Sequence, residues 1–224
     1  MINENNTAKI VAITHPKIDG ISTAEEFIAY CARVSNPSNQ MNNETSEKLL
    51  RYCIRNKHFS IFEMVNVVMQ IDTTRDIARQ ILRHRSFSFQ EFSQRYADPT
   101  DDLGFVARDA RLQDNKNRQN SIETNDKTLQ GTWKVIQDKY IEQAKIDYKW
   151  AIDHGIAKEQ ARSILPEGLT KSRLYMNGTL RSFIHYVELR SANGTQKEHQ
   201  EVAINARSQL LEYFPFLNLV WATE

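Results

Sequence analysis

The sequence predicts a single α+β domain spanning residues 1–224, and three observations predict it. Strand-like alternation of apolar residues occurs between stretches of helical spacing. The two periodicities interleave along the chain instead of falling into separate blocks. No repeat, low-complexity tract or composition break divides the 224 residues, a length that can bury a full core.

Lys9 to Thr14 reads as a short strand. Thr23 and Glu26 have capping-box spacing and open a helix running to about Val34. A Ser/Asn/Pro-rich loop separates it from a second helix, Thr45 to Asn56, with Leu49, Leu50, Cys53 and Ile54 on its apolar face. Glu63 to Asp72 alternates, with Val65, Val67, Met69 and Ile71 on one side of a half-buried strand. Thr73 and Asp76 are read as the next capping pair, opening a helix to about Arg83. Its Ile77, Ala78, Ile81 and Leu82 face inward, while Asp76, Arg79, Gln80 and Arg83 share the opposite face.

Ser86 to Arg111 reads as an aromatic and polar loop with one strand near Phe105. Asp109 to Asn125 is strongly polar and reads as a mobile insertion. A long helix follows from Asp126 to His154, with Gly155 as its C-terminal cap. Leu129, Trp133, Ile136, Tyr140, Ala144 and Tyr148 keep helical spacing along it and are read as core or subunit interface. A short helix at Lys158 to Ile164, a strand at Leu169 to Met176, and helices at Thr179 to Leu189 and Gln196 to Glu212 complete the chain.

Composition removes several function classes. A net charge of +1 provides no global basic field for nucleic acid. No apolar run approaches the roughly 20 residues of a membrane span, and the polar stretch Met1 to Lys9 is unlike a secretion signal. Cys31 and Cys53 are the only cysteines and sit in apolar helical patterns, so they are read as small buried hydrophobes in a reducing, cytoplasmic compartment. There is no phosphate-binding glycine loop, no G-x-S-x-G and no H-E-x-x-H. The six histidines lack metal-ligand spacing, so no metal is expected.

What stands out is a run of arginines without lysine: Arg75, Arg79, Arg83, Arg85 and Arg95. A guanidinium fork holds phosphate or carboxylate bidentately, whereas an ammonium is a point charge. The run points to an anionic small molecule. Two patterns frame it. One is H-x-S-x-F-E, from His58, Ser60 and Phe62 to Glu63. The other is Arg83-His84-Arg85, followed after seven residues by Ser93-Gln94-Arg95. Ser93 and the following backbone N–H groups can donate to phosphate oxygens, as anion-binding turns do.

With these motifs the chain resembles the flavin-dependent thymidylate synthases. The likeness continues at Arg162-Ser163-Ile164-Leu165-Pro166 and from Asn177-Gly178-Thr179-Leu180-Arg181-Ser182 to His185, Glu188, Leu189 and Arg190, and so covers most of the sequence. The Asp109 to Asn125 stretch has no counterpart in it. The resemblance implies helices packed with a small mixed or antiparallel sheet. It implies methylation of deoxyuridine monophosphate (dUMP) to dTMP, with methylenetetrahydrofolate as carbon donor and FAD, reduced by NADPH, as hydride source. It assigns Gln80, Arg83, Glu91, Phe92, Ser93, Gln94, Arg95, Arg162 and Arg190 to dUMP. It assigns Ser60, Arg83, His84, Arg85, Glu91, Thr179, Arg181 and His185 to FAD, with His58 and Gln90 beside it. Arg190 would favour an enolate-like uracil, and sites would be shared within a homotetramer. One departure is Met64, where the family often has histidine.

Elsewhere the plainer reading holds. Arg75 and Arg79 are taken as solvated or paired along their own helix. His15, His154 and His199 are taken as structural or exposed. Two rival functions use the same residues. A nucleic-acid binder would stack bases on Phe87, Phe89 and Phe92, against the near-zero net charge. A deoxynucleotide hydrolase would need clustered carboxylates for a metal, and the arginine-rich run supplies few.

Overall fold

The computed structural model describes residues 5–221, so the first four residues of the Met1 to Lys9 stretch lie outside it. The main sheet has four antiparallel strands, β1 (Thr7–Ile13), β2 (Asn66–Thr74), β3 (Ser88–Glu91) and β6 (Lys171–Thr179), in the order β1-β2-β6-β3. A separate two-stranded ladder joins β4 (Arg111–Gln113) to β5 (Ser121–Glu123).

β2 lies inside the sheet because its apolar residues alternate. Val67, Met69 and Ile71 are fully buried, as is Val65 just before the strand. On β6 the partners Leu174 and Met176 point the same way. The opposite face is polar: Arg173 binds Asp72 across the strands at 2.6 Å. One wet face and one dry face suit an antiparallel sheet.

The dry face is covered by α1 (Ala24–Ala32), α2 (Ser46–Arg55), α3 (Arg75–Ile81), α7 (Leu180–Ser191) and α8 (Lys197–Tyr213). Ile28, Leu50, Ile81, Phe183, Val187, Val202 and Leu210 meet there without exposure. The capping box at Thr23 and Glu26 forms as read. The one at Thr73 does not. β2 pairs with β6 as far as Thr74↔Lys171, so Thr73 is still strand and its hydroxyl donates to Asn6. Thr74 becomes the N-cap of α3, and that helix ends at Ile81, before Arg83.

α5 (Lys127–Asp153) has 27 residues, capped by Asp126, about 40 Å of helix. Its buried face is Gln137, Ile141, Ala144, Tyr148 and Ala151. Tyr148 and Ala151 form a second apolar cluster with Ala161 and Leu165. The stripe read from the sequence therefore splits: Ala144 and Tyr148 are buried, whereas Leu129, Trp133, Ile136 and Tyr140 are exposed. Short helices α4 (Pro99–Asp102), α6 (Lys158–Ala161) and α9 (Asn218–Trp221) fill the connections.

Two further expectations change. The aromatic loop contains β3 at Ser88–Glu91, and Phe105 makes only a single bridge to Thr170. The Asp109 to Asn125 stretch carries a short hairpin, β4–β5. Arg111 fastens it to Glu198 at 2.5 Å, and Glu123 pairs with Lys197.

Candidate functional site

α3 is anchored by buried Ile77, Ala78 and Ile81, so the chain leaves it in a fixed direction. The exit is Arg83-His84-Arg85. The His84 N–H donates to the Ile81 carbonyl at 3.0 Å. Arg83 and Arg85 are exposed, and His84 is half-buried between them. Arg190, in the last turn of α7, donates its Nε–H to His84 Nε2 at 2.9 Å. That nitrogen must be unprotonated. Burial, then the charges of Arg190 and Arg83, lower the His84 pKa to about 4. His84 is therefore neutral near pH 7, with its proton on Nδ1.

Beside this pair lies a polar cluster in which Gln80 and Gln196 are half-buried and Tyr186 and His199 buried. Gln80 Nε2 donates to Gln196 Oε1 at 2.8 Å, and Gln80 Oε1 lies 3.3 Å from His199 Nδ1. His199 Nε2 lies 3.2 Å from the Tyr186 hydroxyl. Burial first, then Arg190 and His84, push the pKa of His199 to about 3. Burial also raises that of Tyr186. Sequence reasoning set His199 aside. Its spacing with Val202, Ala203, Ala206 and Leu210 on the buried face of α8 was the available signal, because a histidine in an apolar stripe needs partners.

A second group gathers at the other end of α7. The tight turn Phe59–Met64 presents Ser60 and Glu63, with His58 just before it. Glu63 pairs with Arg181. His185, one turn later, has its ring 5.9 Å from that of Phe59 and its Nδ1 3.4 Å from Glu188. Thr179 is the N-cap of α7, its hydroxyl accepting from Ser182 N. Arg181 and Arg190 are nine residues apart on one helix, about 14 Å along its axis.

The third group lies on and after β3. Gln90 is exposed on the edge strand. Glu91 accepts from Ser172 Oγ at 2.8 Å and faces Arg75 at 3.5 Å and Arg79 at 3.7 Å. Arg75 is 8% exposed. Arg79 also pairs with Glu167. Arg79 is thus the exposed, salt-bridged residue read from the sequence, whereas Arg75 is buried against Glu91 of β3 and not paired along its own helix. Glu63 and Glu91 thus serve different arginines. Phe92 N donates to Arg173 O, and a turn follows in which Ser93 O accepts from Tyr96 N and Ala97 N. Gln94 is 4% exposed, with no hydrogen-bond partner for Nε2. Arg95 pairs with Glu159, and the charge of Arg162 acts on Arg75.

The structure therefore brings Gln80, Arg83, His84, Arg85 and Arg190 together, and separately His58, Ser60, Thr179, Arg181 and His185. Gln90 to Arg95 and Arg162 form the third group. A cleft of about 460 Å³ opens elsewhere, lined by Arg108, Arg111, Gln130, Lys197 and Glu198 among others. The motif differs from that cleft in presenting the exposed forks of Arg83 and Arg85, which make no ion pair among the described residues, whereas the cleft's Arg108, Arg111 and Lys197 are ion-paired with Asp76, Glu198 and Glu123. Among the described residues no three His, Cys, Asp or Glu side chains converge as a metal site, and no helix is long and apolar enough to cross a membrane.

A family model described as thymidylate synthase complementing protein matches residues 18–216. A protein of Paramecium bursaria Chlorella virus 1, named "Probable flavin-dependent thymidylate synthase", is 50% identical over 93% of this chain and 95% of its own. The "Flavin-dependent thymidylate synthase" of Synechocystis sp. is 49% identical over 92% of this chain and 95% of its own. The crystal structure of the UMP/dUMP methylase PolB from Streptomyces cacaoi, bound with 5-Br dUMP, shares the fold, with a TM-score of 0.81 over 98% of this chain and 96% of that one at 23% identity.

Proposed function

The chain belongs to the family of flavin-dependent thymidylate synthases, and on that premise we propose that it converts dUMP to dTMP. In that reaction methylenetetrahydrofolate supplies the carbon joined to uracil C5, and FAD, re-reduced by NADPH, supplies the hydride. The observation that carries the proposal is the bond from Arg190 to neutral His84, which sets a fixed guanidinium beside two exposed arginine forks.

The donor set fits the groups it would hold. Arg83 and Arg85 present forks to the FAD pyrophosphate, and neutral His84 presents a flat ring and one N–H. His58, Ser60, Gln90, Glu91, Thr179, Arg181 and His185 extend that surface. Gln80, Arg83, Glu91, Phe92, Ser93, Gln94, Arg95 and Arg162 hold dUMP. The buried, unpartnered Gln94 Nε2 supports a polar ligand there, since such a group is costly to leave unsatisfied. Arg190 has spent Nε on His84, which leaves its two Nη groups for the uracil. A guanidinium held in place before charge develops stabilises an enolate-like ring without reorganisation.

The first two groups lie at opposite ends of α7, and Arg83 and Arg85 stand on open surface. We read the protein as a homotetramer in which neighbouring chains complete each site. The exposed stripe Leu129, Trp133, Ile136 and Tyr140 on α5 supports this, because contiguous apolar surface marks contact sites. Free, buried or half-buried thiols suit a reducing cytoplasm.

The test is a visible absorption spectrum of the purified protein supplied with FAD and titrated with dUMP. A bound-flavin spectrum that shifts on nucleotide addition is expected. Protein that retains no flavin and does not respond to dUMP would overturn the proposal.

A further inference from the structure

The hydrogen-bond chain beneath Gln80 has one direction, and that direction originates in the β4–β5 hairpin. Glu198 is 8% exposed. Burial pushes its carboxyl up, but the hydrogen bond from Arg111 and the charges of Arg108 and Arg111 outweigh this and hold it below the usual carboxylate range. An ionised carboxylate can only accept. Gln196 must therefore present Nε2 to Glu198 Oε2, at 2.9 Å. Its Oε1 then faces Gln80 Nε2, and Gln80 Oε1 faces His199 Nδ1. An amide oxygen cannot donate, so His199 carries its proton on Nδ1. Its Nε2 is left as an acceptor for the Tyr186 hydroxyl, 3.2 Å away.

Every link depends on the one before. Flipping either amide alone sets two donors or two acceptors face to face, which is costly for half-buried amides packed on the buried Glu198 and His199. Gln80 Nε2 has two hydrogens and spends one on Gln196. The other is free to donate, four residues before His84 and three before Arg83.

We propose that Arg111 and Glu198 are positioning residues, which act through Gln196 to hold the Gln80 amide as a donor toward an acceptor oxygen of the bound nucleotide. The polar hairpin is then part of substrate recognition, although it lies outside the arginine motif. This rests on the assignment of Gln80 to dUMP made above. Glu198→Gln releases the direction. Glutamine at 198 can keep accepting from Arg111 while donating to Gln196. Both amides can then turn over, and His199 can move its proton to Nε2.

The experiment is a double-mutant cycle on the FAD-loaded protein, with dUMP affinity measured by calorimetry. Glu198→Gln should weaken dUMP about tenfold, the worth of one misdirected hydrogen bond, with kcat at saturation little changed. In a Gln80→Ala background the same change should add nothing. Nitrogen-15 NMR of labelled histidines should show His199 as the Nδ1–H tautomer in wild type and shifted toward Nε2–H in Glu198→Gln. Arg111→Lys should retain most of the affinity that Arg111→Met loses. If Glu198→Gln does not fold, Gln196→Met, which removes the relay between Glu198 and Gln80, enters the same cycle. Equal losses with and without Gln80, or no loss, would overturn the proposal. Wild-type protein that binds no dUMP would instead overturn the functional reading, so the two failures are distinct.

Discussion

Arg190 and His84 are 106 residues apart in sequence and share one hydrogen bond, Nε to Nε2 at 2.9 Å. The bond requires a neutral imidazole, and burial beside two guanidinium groups provides one. Each partner fixes the other: the ring holds the fork, and the charge of the fork keeps the ring unprotonated.

This relationship predicts a pH dependence of stability. An unfolded histidine titrates near 6.5, while the folded pKa values are about 4 for His84 and about 3 for His199. Above pH 6.5 both rings are neutral in either state and the fold has its full stability. As pH falls below 6.5 the unfolded chain binds protons first, so stability drops toward pH 4 for His84 and toward pH 3 for His199. The slope is about 1.4 kcal/mol per pH unit for each proton bound only by the unfolded chain. Urea midpoints measured from pH 8 to pH 4 check this. A curve flat to pH 4 would refute it.

Arg190→Ala should leave flavin binding in place and reduce turnover about 10²–10³-fold, the usual cost of removing a positioned electrostatic donor. Flavin absorbance and kcat, measured together, separate the two effects. Wild-type turnover in this variant would remove Arg190 from the mechanism.

Ser93→Ala should raise the KM for dUMP about tenfold, because a phosphate donor and the turn closed by Ser93 Oγ on Arg95 N are both lost. Cys31→Ala and Cys53→Ala should keep activity, since burial raises both thiols and leaves little thiolate for nucleophilic attack. Loss of turnover in a folded cysteine variant would reopen covalent catalysis.

Gly178→Ala should destabilise the protein by about 1–3 kcal/mol, as overpacking does. A Cβ there would overlap the Phe87 ring, which packs edge-on against Phe183 with centroids 4.8 Å apart. Thermal unfolding of the variant is the check. An unchanged midpoint would mean that Phe87 moves freely.

If the α5 stripe is the subunit contact proposed above, Trp133→Glu should break the assembly while leaving helix content intact. Trp133 is 41% exposed in one chain and Tyr140 67%, and a charge placed in an apolar contact goes unpaired. Sedimentation should show a smaller species than wild type. Unchanged sedimentation would free this face from the interface.

The sequence by itself determined the elements whose signals are local. Asp126 and Gly155 bound α5 because capping and positive φ involve only neighbouring residues. Val65, Val67, Met69 and Ile71 announce β2 because one dry face imposes a period of two. The arginine motif was legible because a run of arginines without lysine departs from an ordinary mixed surface.

Tertiary structure decided what depends on partners distant in sequence. β3 is a strand only because β6 offers an edge, and Thr73 stays extended because the same ladder runs past it. The hairpin is tied to α8 by ion pairs. Arg75 is buried because Glu91 arrives from another strand. The apolar stripe of α5 divides between core and surface because a helix presents one face to its own fold. Long-range pairings have no sequence period, so the joining of Arg190 to His84, and of Glu198 to Gln80, could be read only from the fold.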